Sequence, residues 1–170
     1  MNHTSHPTAA APLPPLAAGH PYLTLWRQAS ALLGTQTDYI ANAANLCALI
    51  YHNVPDLNWA GFYFRRGQKL IVGPFQGQPA CVEIDWGKGV CGAAAAASAT
   101  LRVDDVHSFD GHIACDAASQ SEIVVPLVRD GAVYGVLDID SPKQARFNPV
   151  DQEGFEALAA LYTRSCAPMG

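Results

Sequence analysis

Three cysteines in the central part of the chain could support thiol chemistry. Cys81 falls in a predicted strand, Cys91 in a glycine-rich loop, and Cys115 in a long polar loop that also holds His112. A buried packing role is common for a free cysteine. Cys115, however, has polar neighbours, and a loop cysteine close to a histidine is a setting that favours a reactive thiolate. The sequence therefore favours Cys115 as the reactive thiol.

Acidic residues form a second candidate group, at a predicted hairpin. Glu122 opens one strand, while Asp138 and Asp140 stand two residues apart near the end of the other. Residues two apart on a strand share a face, so Leu137 and Ile139 take the opposite face. If these aliphatic residues face the core, the acids face the loops; a solvated sheet face is the equal alternative. Clustered acids can bind an ammonium group, or hold a proton where burial raises a pKa.

Two other chemistries would use the same residues. A zinc site could be built from His107, His112, Cys91 and Cys115. Their spacing matches no common zinc pattern and no CxxC pair anchors them, so we predict no metal. A cysteine hydrolase could pair Cys115 with His112, but hydrolase dyads usually come from distant segments. The glycine-rich segment 87–92 precedes a predicted helix, whose first backbone amides could hold a substrate carboxylate.

Composition narrows the class of protein. The 170 residues include 10 basic and 15 acidic side chains, and the net charge of −5 argues against nucleic-acid binding. No apolar run approaches the roughly 18 residues of a membrane span, and residues 1–26 lack the charged start of a signal peptide. We therefore expect a protein of the reducing cytoplasm. Cys47 and Cys166, which have apolar neighbours in predicted helices, are interpreted as structural.

The elements that must position these residues follow from periodicity and turn signals. We predict helices at 21–33, 38–51, 91–99 and 149–165. We predict strands at 59–64, 69–72, 80–84, 101–106, 123–128 and 133–139. Asp130-Gly131 marks a tight turn between the last two strands. The polar loop at 107–120 is long for a compact domain, which is typical of a functional loop.

The order of these elements predicts an α+β fold with a central, mostly antiparallel sheet. We expect helices on one face and the loops at 87–92 and 107–120 over the other. Trp59 and Tyr63 are expected in the sheet, where they could wall a small pocket. Residues 21–166 are predicted to form a single domain, and the proline- and alanine-rich residues 1–20 a flexible arm.

Several segments together resemble one family. They are NWAGFYF (58–64), GPFQGQPACVEI (73–84), GKGVCG (87–92), DVHSFDGHIACDAASQSEIVVPL (105–127) and GVLDIDSP (135–142). Over about residues 22–165, the chain is similar to the free methionine-(R)-sulfoxide reductases, which are single-domain enzymes built on a GAF fold. The match is specific, because the three family cysteines and the acids occur in register.

The resemblance implies roles that the residues alone do not supply. Cys115 matches the nucleophile, and Cys81 and Cys91 match its resolving partners, in an order that stays open. Glu122 or Asp140 would protonate the sulfoxide oxygen. The positions that match the substrate pocket are Trp59, Tyr63, Asp104, Glu122, Asp138 and Asp140.

The activity implied by the resemblance is reduction of free L-methionine-R-sulfoxide through a cysteine sulfenic acid and an intramolecular disulfide. A thioredoxin-type protein would be the external reductant, no bound cofactor would be needed, and the family suggests a homodimer. The alternative function is a GAF sensory module that binds a small ligand without turnover, since the fold alone permits it.

Overall fold

The computed structural model describes residues 14–113 and 115–169 of the chain. Its helices are α1 (Leu23–Leu33), α2 (Tyr39–Asn53), α3 (Gly89–Ala97) and α4 (Pro149–Ser165). Its strands are β1 (Trp59–Arg66), β2 (Lys69–Gly77), β3 (Glu83–Asp85), β4 (Leu101–Val103), β5 (Ser121–Arg129) and β6 (Ala132–Ser141). Most of the arm predicted at 1–20 lies outside the described residues, so its flexibility stays a prediction.

The helices begin where the sequence supplies capping side chains. The Asp38 side chain accepts a hydrogen bond of 2.8 Å from the backbone N–H of Ala41 at the start of α2. Asn148 caps α4 and forms a capping box with Asp151, and Pro149 occupies the first helical turn. These caps satisfy N–H groups that have no partner inside a helix. In the described part of the chain, no helix is both long enough and apolar enough to span a bilayer.

The six strands form one antiparallel sheet in the order β3-β2-β1-β6-β5-β4. β5 and β6 are the predicted hairpin. Asp130 and Gly131 occupy its turn with φ of 51° and 76°, the left-handed backbone conformation that a tight two-residue hairpin turn requires. β1 and β6 are the two central strands, and their register pairs Trp59 with Asp140.

The two faces of the sheet carry two separate apolar clusters. Helices α1, α2 and α4 pack on one face, against side chains such as Phe62, Leu137 and Ile139. The smaller helix α3 packs on the other face, against Trp59 and Val124 among others. The predicted α+β architecture is confirmed, with the addition that one helix joins the loops on the second face. Small side chains along α3, which reads GVCGAAAAA, allow this close approach.

Two of the element boundaries that were predicted wrongly concern cysteines; β2 also runs further than predicted, to Gly77 and not Val72. The third strand begins at Glu83, so Cys81 lies in the preceding loop and not on a strand. Pro79 lies two residues before Cys81, and a proline has no N–H to donate to a strand ladder. Helix α3 begins at Gly89, so Cys91 lies in its first turn and not in a loop. Gly89 has φ of 60°, a conformation that favours glycine and turns the chain into the helix.

The chain after β4 also departs from the prediction. A strand was expected over 101–106, but β4 ends at Val103 and a short 3-10 turn follows at Val106–Ser108. The Asp105 side chain ends the extended segment, because it accepts a hydrogen bond from the backbone N–H of His107. Asp residues compete with strand pairing in this way. The rest of the predicted loop then crosses the second face of the sheet towards β5.

Candidate active site

The acidic residues of the hairpin lie on the α3 side of the sheet. Glu122 of β5 and Asp140 of β6 are direct cross-strand partners, and Asp138 is two residues before Asp140. Leu137 and Ile139 are fully buried in the cluster beneath the other helices. This alternation confirms the predicted division of faces. The alternative of a solvated acidic face is wrong, because Glu122 and Asp138 are buried.

These acids line a cavity between the sheet, α3 and the loop at 107–120. The predicted site residues that line this cavity are Trp59, Tyr63, Cys91, Cys115, Glu122, Asp138 and Asp140. Further lining residues include Gly89, Val90, His112, Ile113, Asp116 and Ser119. The cavity therefore combines carboxyl groups, aromatic rings and sulfur in one place.

Two of the three central cysteines form a disulfide. Cys81, in the loop before β3, is bonded to Cys115 in the loop after the 3-10 turn, and their Cα atoms lie 5.3 Å apart. Tyr63 holds the Cys81 loop from the sheet side, since its hydroxyl donates a 3.1 Å hydrogen bond to the Cys81 carbonyl. Cys91 remains a buried free thiol. The sequence left open which cysteine pairs with Cys115, and the structure shows the pair with Cys81.

The free thiol of Cys91 lies close to two of the acids. Its Sγ atom lies 3.8 Å from Glu122 Oε1, within the distance of a hydrogen bond from a thiol. One oxygen each of Glu122 and Asp138, together with this sulfur, lie within 4.8 Å of one another. Oδ1 of Asp138 is buried and has no hydrogen-bond partner among the described residues. An unpaired buried carboxylate oxygen costs free energy because it has lost its hydrogen bonds to water. A ligand that donates a hydrogen bond to this atom would remove that cost.

Burial strongly changes the acid strength of this group. Loss of solvent raises the pKa of Glu122 well above its usual range, and the nearby charges of Asp138 and Asp140 raise it further. The pKa of Asp140 is raised well above its usual range for the same reason, with Asp138 and Asp116 adding to it. Burial raises the pKa of Asp138 to about 6. Glu122 and Asp140 therefore keep their protons to higher pH than ordinary carboxyl groups, whereas Asp138 is mostly ionised at neutral pH.

An aromatic stack forms the β1 wall of the cavity. The ring of Trp59 stacks on Tyr63 with centroids 5.8 Å apart, and on Phe75 with centroids 5.1 Å apart. The Trp59 indole N–H donates a 3.1 Å hydrogen bond to the carbonyl of Gln78, which fixes the ring's orientation. A side chain at Gly61 would overlap both Trp59 and Phe75. Glycine at that position gives the stack its space.

The loop that carries Cys115 is tied to the start of β1 by Asn58, a residue that the sequence reasoning missed. Asn58 Nδ2 donates hydrogen bonds of 3.0 Å to Asp116 Oδ2 and to Ser119 Oγ. Its backbone N–H donates to the carbonyl of Asp140, also at 3.0 Å. Asn58 thus links the acidic strand to both sides of the turn after Cys115. The only signal in the sequence was its position at the head of the NWAGFYF segment.

Asp104 is the predicted pocket residue that the structure does not bring to the cavity. The last pair of the β4–β5 ladder joins Val103 to Glu122, and the chain leaves the sheet at the next residue. Asp104 is exposed there, and its carbonyl accepts a 2.8 Å hydrogen bond from Ala145. Asp104 therefore lies outside the lining of this cavity, and its expected part in substrate binding stays a prediction.

The histidines of the loop divide between the cavity and the surface. His112 lines the cavity, and burial lowers its pKa, as does the nearby His107. His107 is exposed, with its ring centroid 6.3 Å from that of His112. Cys91, Glu122 and Asp138 are the set of ligand-type side chains that converges within the described residues, and it contains no histidine. The histidine-based zinc set considered from the sequence is not assembled.

Comparisons with known proteins identify the family of this chain. The GAF domain family matches residues 40–164. The free methionine-R-sulfoxide reductase of Escherichia coli K12 is 51% identical over 82% of this chain and 84% of its own length. The protein YtsP of Bacillus subtilis is 51% identical over 86% of this chain and 91% of its own.

A solved structure extends the likeness to three dimensions. The fRMsr of Staphylococcus aureus in complex with substrate is 47% identical and has a TM-score of 0.83, and the match covers 87% of this chain and 97% of that chain. Identity at this level over most of both chains goes beyond a shared fold. The chain belongs to the free methionine-R-sulfoxide reductase family and is built on a GAF domain.

Proposed function

We propose that this protein reduces free L-methionine-R-sulfoxide to L-methionine, using cysteine thiols as the source of electrons. The observation that carries the proposal is the disulfide between Cys81 and Cys115, because Cys115 lines a cavity together with the carboxyl groups of Glu122, Asp138 and Asp140. A redox-active cysteine pair supplies two electrons, and the acids supply protons and a binding site for an ammonium group. Relatives named free methionine-R-sulfoxide reductase support the same activity.

The substrate has four groups that the cavity can recognise. Asp138 would bind the α-ammonium, because it is the most readily ionised acid of the three and has an unpaired buried oxygen. Trp59 and Tyr63 would pack against the methyl and methylene groups. Backbone amides at the start of α3 would bind the α-carboxylate, since Lys88 provides no side-chain cap there. The sulfoxide group is then left to face Cys115 and the protonated acids.

The reaction follows from this placement. The Cys115 thiolate attacks the sulfoxide sulfur, and the sulfoxide oxygen receives a proton from Glu122 or Asp140, because burial favours the protonated form of both acids. The oxygen then moves from the methionine sulfur to the Cys115 sulfur as the transient bond between the two sulfurs breaks, which releases methionine and leaves Cys115 as a sulfenic acid. The Cys81 thiol then attacks Cys115, forming the disulfide and releasing water. Both electrons of the reduction come from these two thiols.

An external dithiol must restore the thiols after each turnover. We propose a thioredoxin-type protein, whose reduction potential suits exchange with such a disulfide. No bound cofactor is required by this scheme. We further propose that the enzyme works as a homodimer in the reducing cytoplasm, where free cysteines persist.

The test of this proposal compares four substrates under thioredoxin regeneration. Free methionine-R-sulfoxide should be turned over, and the S epimer should not, because it exchanges the positions of oxygen and methyl. The N-acetylated R amide should be rejected, since it lacks the ammonium and leaves a buried carboxylate unpaired, a penalty of roughly 1–3 kcal/mol. Dimethyl sulfoxide serves as a control that has the sulfoxide without the amino acid. Comparable turnover of the blocked amide would overturn the free-amino-acid assignment.

A further inference from the structure

Cys91 is a buried thiol that is not needed as an electron donor in the proposed reaction. Reduction of one sulfoxide takes two electrons and two protons and releases one water. Cys115 and Cys81 supply both electrons when they form their disulfide. The structure leaves Cys91 as a free thiol that lines the same cavity as Cys115. A role other than electron donation has to explain its position.

The contacts of Cys91 are with acids. It lies in the first turn of α3, 3% exposed, with Sγ 3.8 Å from Glu122 Oε1. Asp138 completes the group, with one oxygen inside the same 4.8 Å cluster. A thiol at this distance from a carboxyl oxygen is a weak hydrogen-bond donor. We propose that Cys91 is a positioning residue that holds Glu122 as the proton donor of the reaction, and that it is not a resolving thiol.

The protonation states of the group agree with that role. Burial and the surrounding acids raise the pKa of Cys91 well above its usual range, so it stays a thiol and keeps its proton to donate. A thiol in this state is a poor nucleophile towards a sulfenic acid. The hydrogen bond from Cys91 lowers the pKa of Glu122 and partly offsets its burial. The same bond stabilises the Glu122 carboxylate that forms as the proton moves to the sulfoxide oxygen.

Several groups face Glu122 and share in its titration. They are Cys91 from α3, Asp138 and Asp140 from β6, and Tyr63 from β1. Removal of the Cys91 thiol takes away a hydrogen bond that favours the ionised form of Glu122, so the pKa of Glu122 should rise further. Activity that depends on protonated Glu122 would then persist to higher pH, although each proton transfer would be slower.

The inference rests on the proposed reductase activity and is tested by exchanging Cys91 for serine and for alanine. Cys91→Ser keeps a donor but removes the thiol, and should turn over close to the wild-type rate. Cys91→Ala should lower kcat about tenfold, in line with loss of a hydrogen bond to an ionising group. KM should change little. The alkaline limb of its pH–rate profile should move to higher pH, while that of the serine variant stays near the wild type.

A measurement on the wild-type protein complements the variants and does not depend on their folding. After one turnover without reductant, mass mapping should find Cys81 joined to Cys115 and Cys91 still a thiol, with two thiols consumed per methionine released. Equal loss of thioredoxin-dependent recycling in both variants, or a disulfide containing Cys91 after that turnover, would overturn the proposal. Absence of any turnover by the wild type would instead overturn the reductase activity itself.

Discussion

Glu122 on β5 and Asp140 on β6 are directly paired across the sheet, with their side chains on the buried face that carries α3. Asp138 lies on the same face. Three carboxyl groups in a desolvated cleft oppose folding, because burial disfavours their ionised forms and each charge disfavours the next. Because these acids lower stability near neutral pH, we attribute their presence to the chemistry of the cavity and not to the stability of the fold.

The first prediction concerns stability and pH. The pKa of Asp138 is raised from 3.8 to about 6 in the folded protein. The folded state therefore binds more protons than the unfolded state between these values, and the free energy of unfolding falls as pH rises through that window. Asp138→Asn cannot ionise, so it should be more stable than the wild type above pH 6, by on the order of 1–3 kcal/mol. The difference should vanish below about pH 4.

Urea denaturation from pH 4 to 8 checks this prediction. Asp130→Asn is a suitable control, because it removes an exposed carboxyl at the hairpin turn, where asparagine is accepted equally well. A stability difference between Asp138→Asn and the wild type that stays constant across this pH range would contradict it. So would a destabilised Asp138→Asn variant at pH 7.

The second prediction concerns the nucleophile. Cys115→Ser should leave less than a few per cent of the activity towards free methionine-R-sulfoxide while the fold is retained. A serine hydroxyl is far too basic to ionise as a thiol does. Cys166→Ser is the matched control, because Cys166 is buried at the end of α4, outside the cavity, where burial raises the pKa of the thiol and makes it inert. Steady-state assays of both purified variants, with circular dichroism, distinguish loss of chemistry from loss of fold.

The third prediction separates chemistry from resolution. Cys81→Ser should release one methionine per subunit in a single turnover and then recycle slowly, because the Cys115 sulfenic acid has lost its partner. Rapid quench should show an undiminished burst, and dimedone should label Cys115 in the variant but only weakly in the wild type. A collapse of the first turnover in Cys81→Ser would place Cys81 in the chemical step instead.

Local sequence signals predicted most of the framework. The alternation Val136 to Asp140 fixed which side chains of β6 face the helices, because a strand has a period of two and one face was plainly apolar. Asp130-Gly131 and the caps at Asp38 and Asn148 were equally readable, since each depends on a few adjacent residues. Once a strand or helix is recognised in the sequence, its periodicity predicts which face each side chain takes.

The positions of residues in loops could not be predicted from the sequence in the same way. Cys81 and Cys115 meet because two loops from opposite ends of the sheet order converge over one face. Their contact depends on tertiary packing, which no local pattern encodes. Asp104 was assigned to the pocket by likeness alone, and the early end of β4 at Val103 carries it away. Cys91 was misplaced because the start of α3 depends on the unusual backbone of Gly89.

The fourth prediction concerns Asn58 and the Cys115 loop. Asn58→Ala removes the two hydrogen bonds to Asp116 and Ser119. It should reduce stability by about 1–2 kcal/mol and slow closure of the Cys81–Cys115 disulfide, so that sulfenic acid accumulates. Dimedone trapping after one turnover measures this. Asn53→Ala is the control, since the Asn53 side chain donates its hydrogen bond to the Leu49 carbonyl, at the exposed end of α2 and within the same helix. Equal trapping in the two variants would show that Asn58 does not position the loop.

The last prediction concerns the space behind Trp59. A methyl group at Gly61 would overlap the Trp59 ring and the Cβ atom of Phe75, so Gly61→Ala should push the indole into the cavity. Gly73→Ala is a matched control, because its methyl would also meet a ring, at 2.7 Å from Phe64, but within the cluster under α1, α2 and α4.

Both glycine variants should lose about 1–3 kcal/mol of stability through overpacking. Only Gly61→Ala should also raise KM for free methionine-R-sulfoxide, because only that methyl displaces a ring that packs against the substrate. Urea denaturation and steady-state kinetics on the two proteins measure the two effects separately. A rise in KM of the same size in Gly73→Ala would show that general loosening of the sheet, and not the position of Trp59, sets substrate affinity.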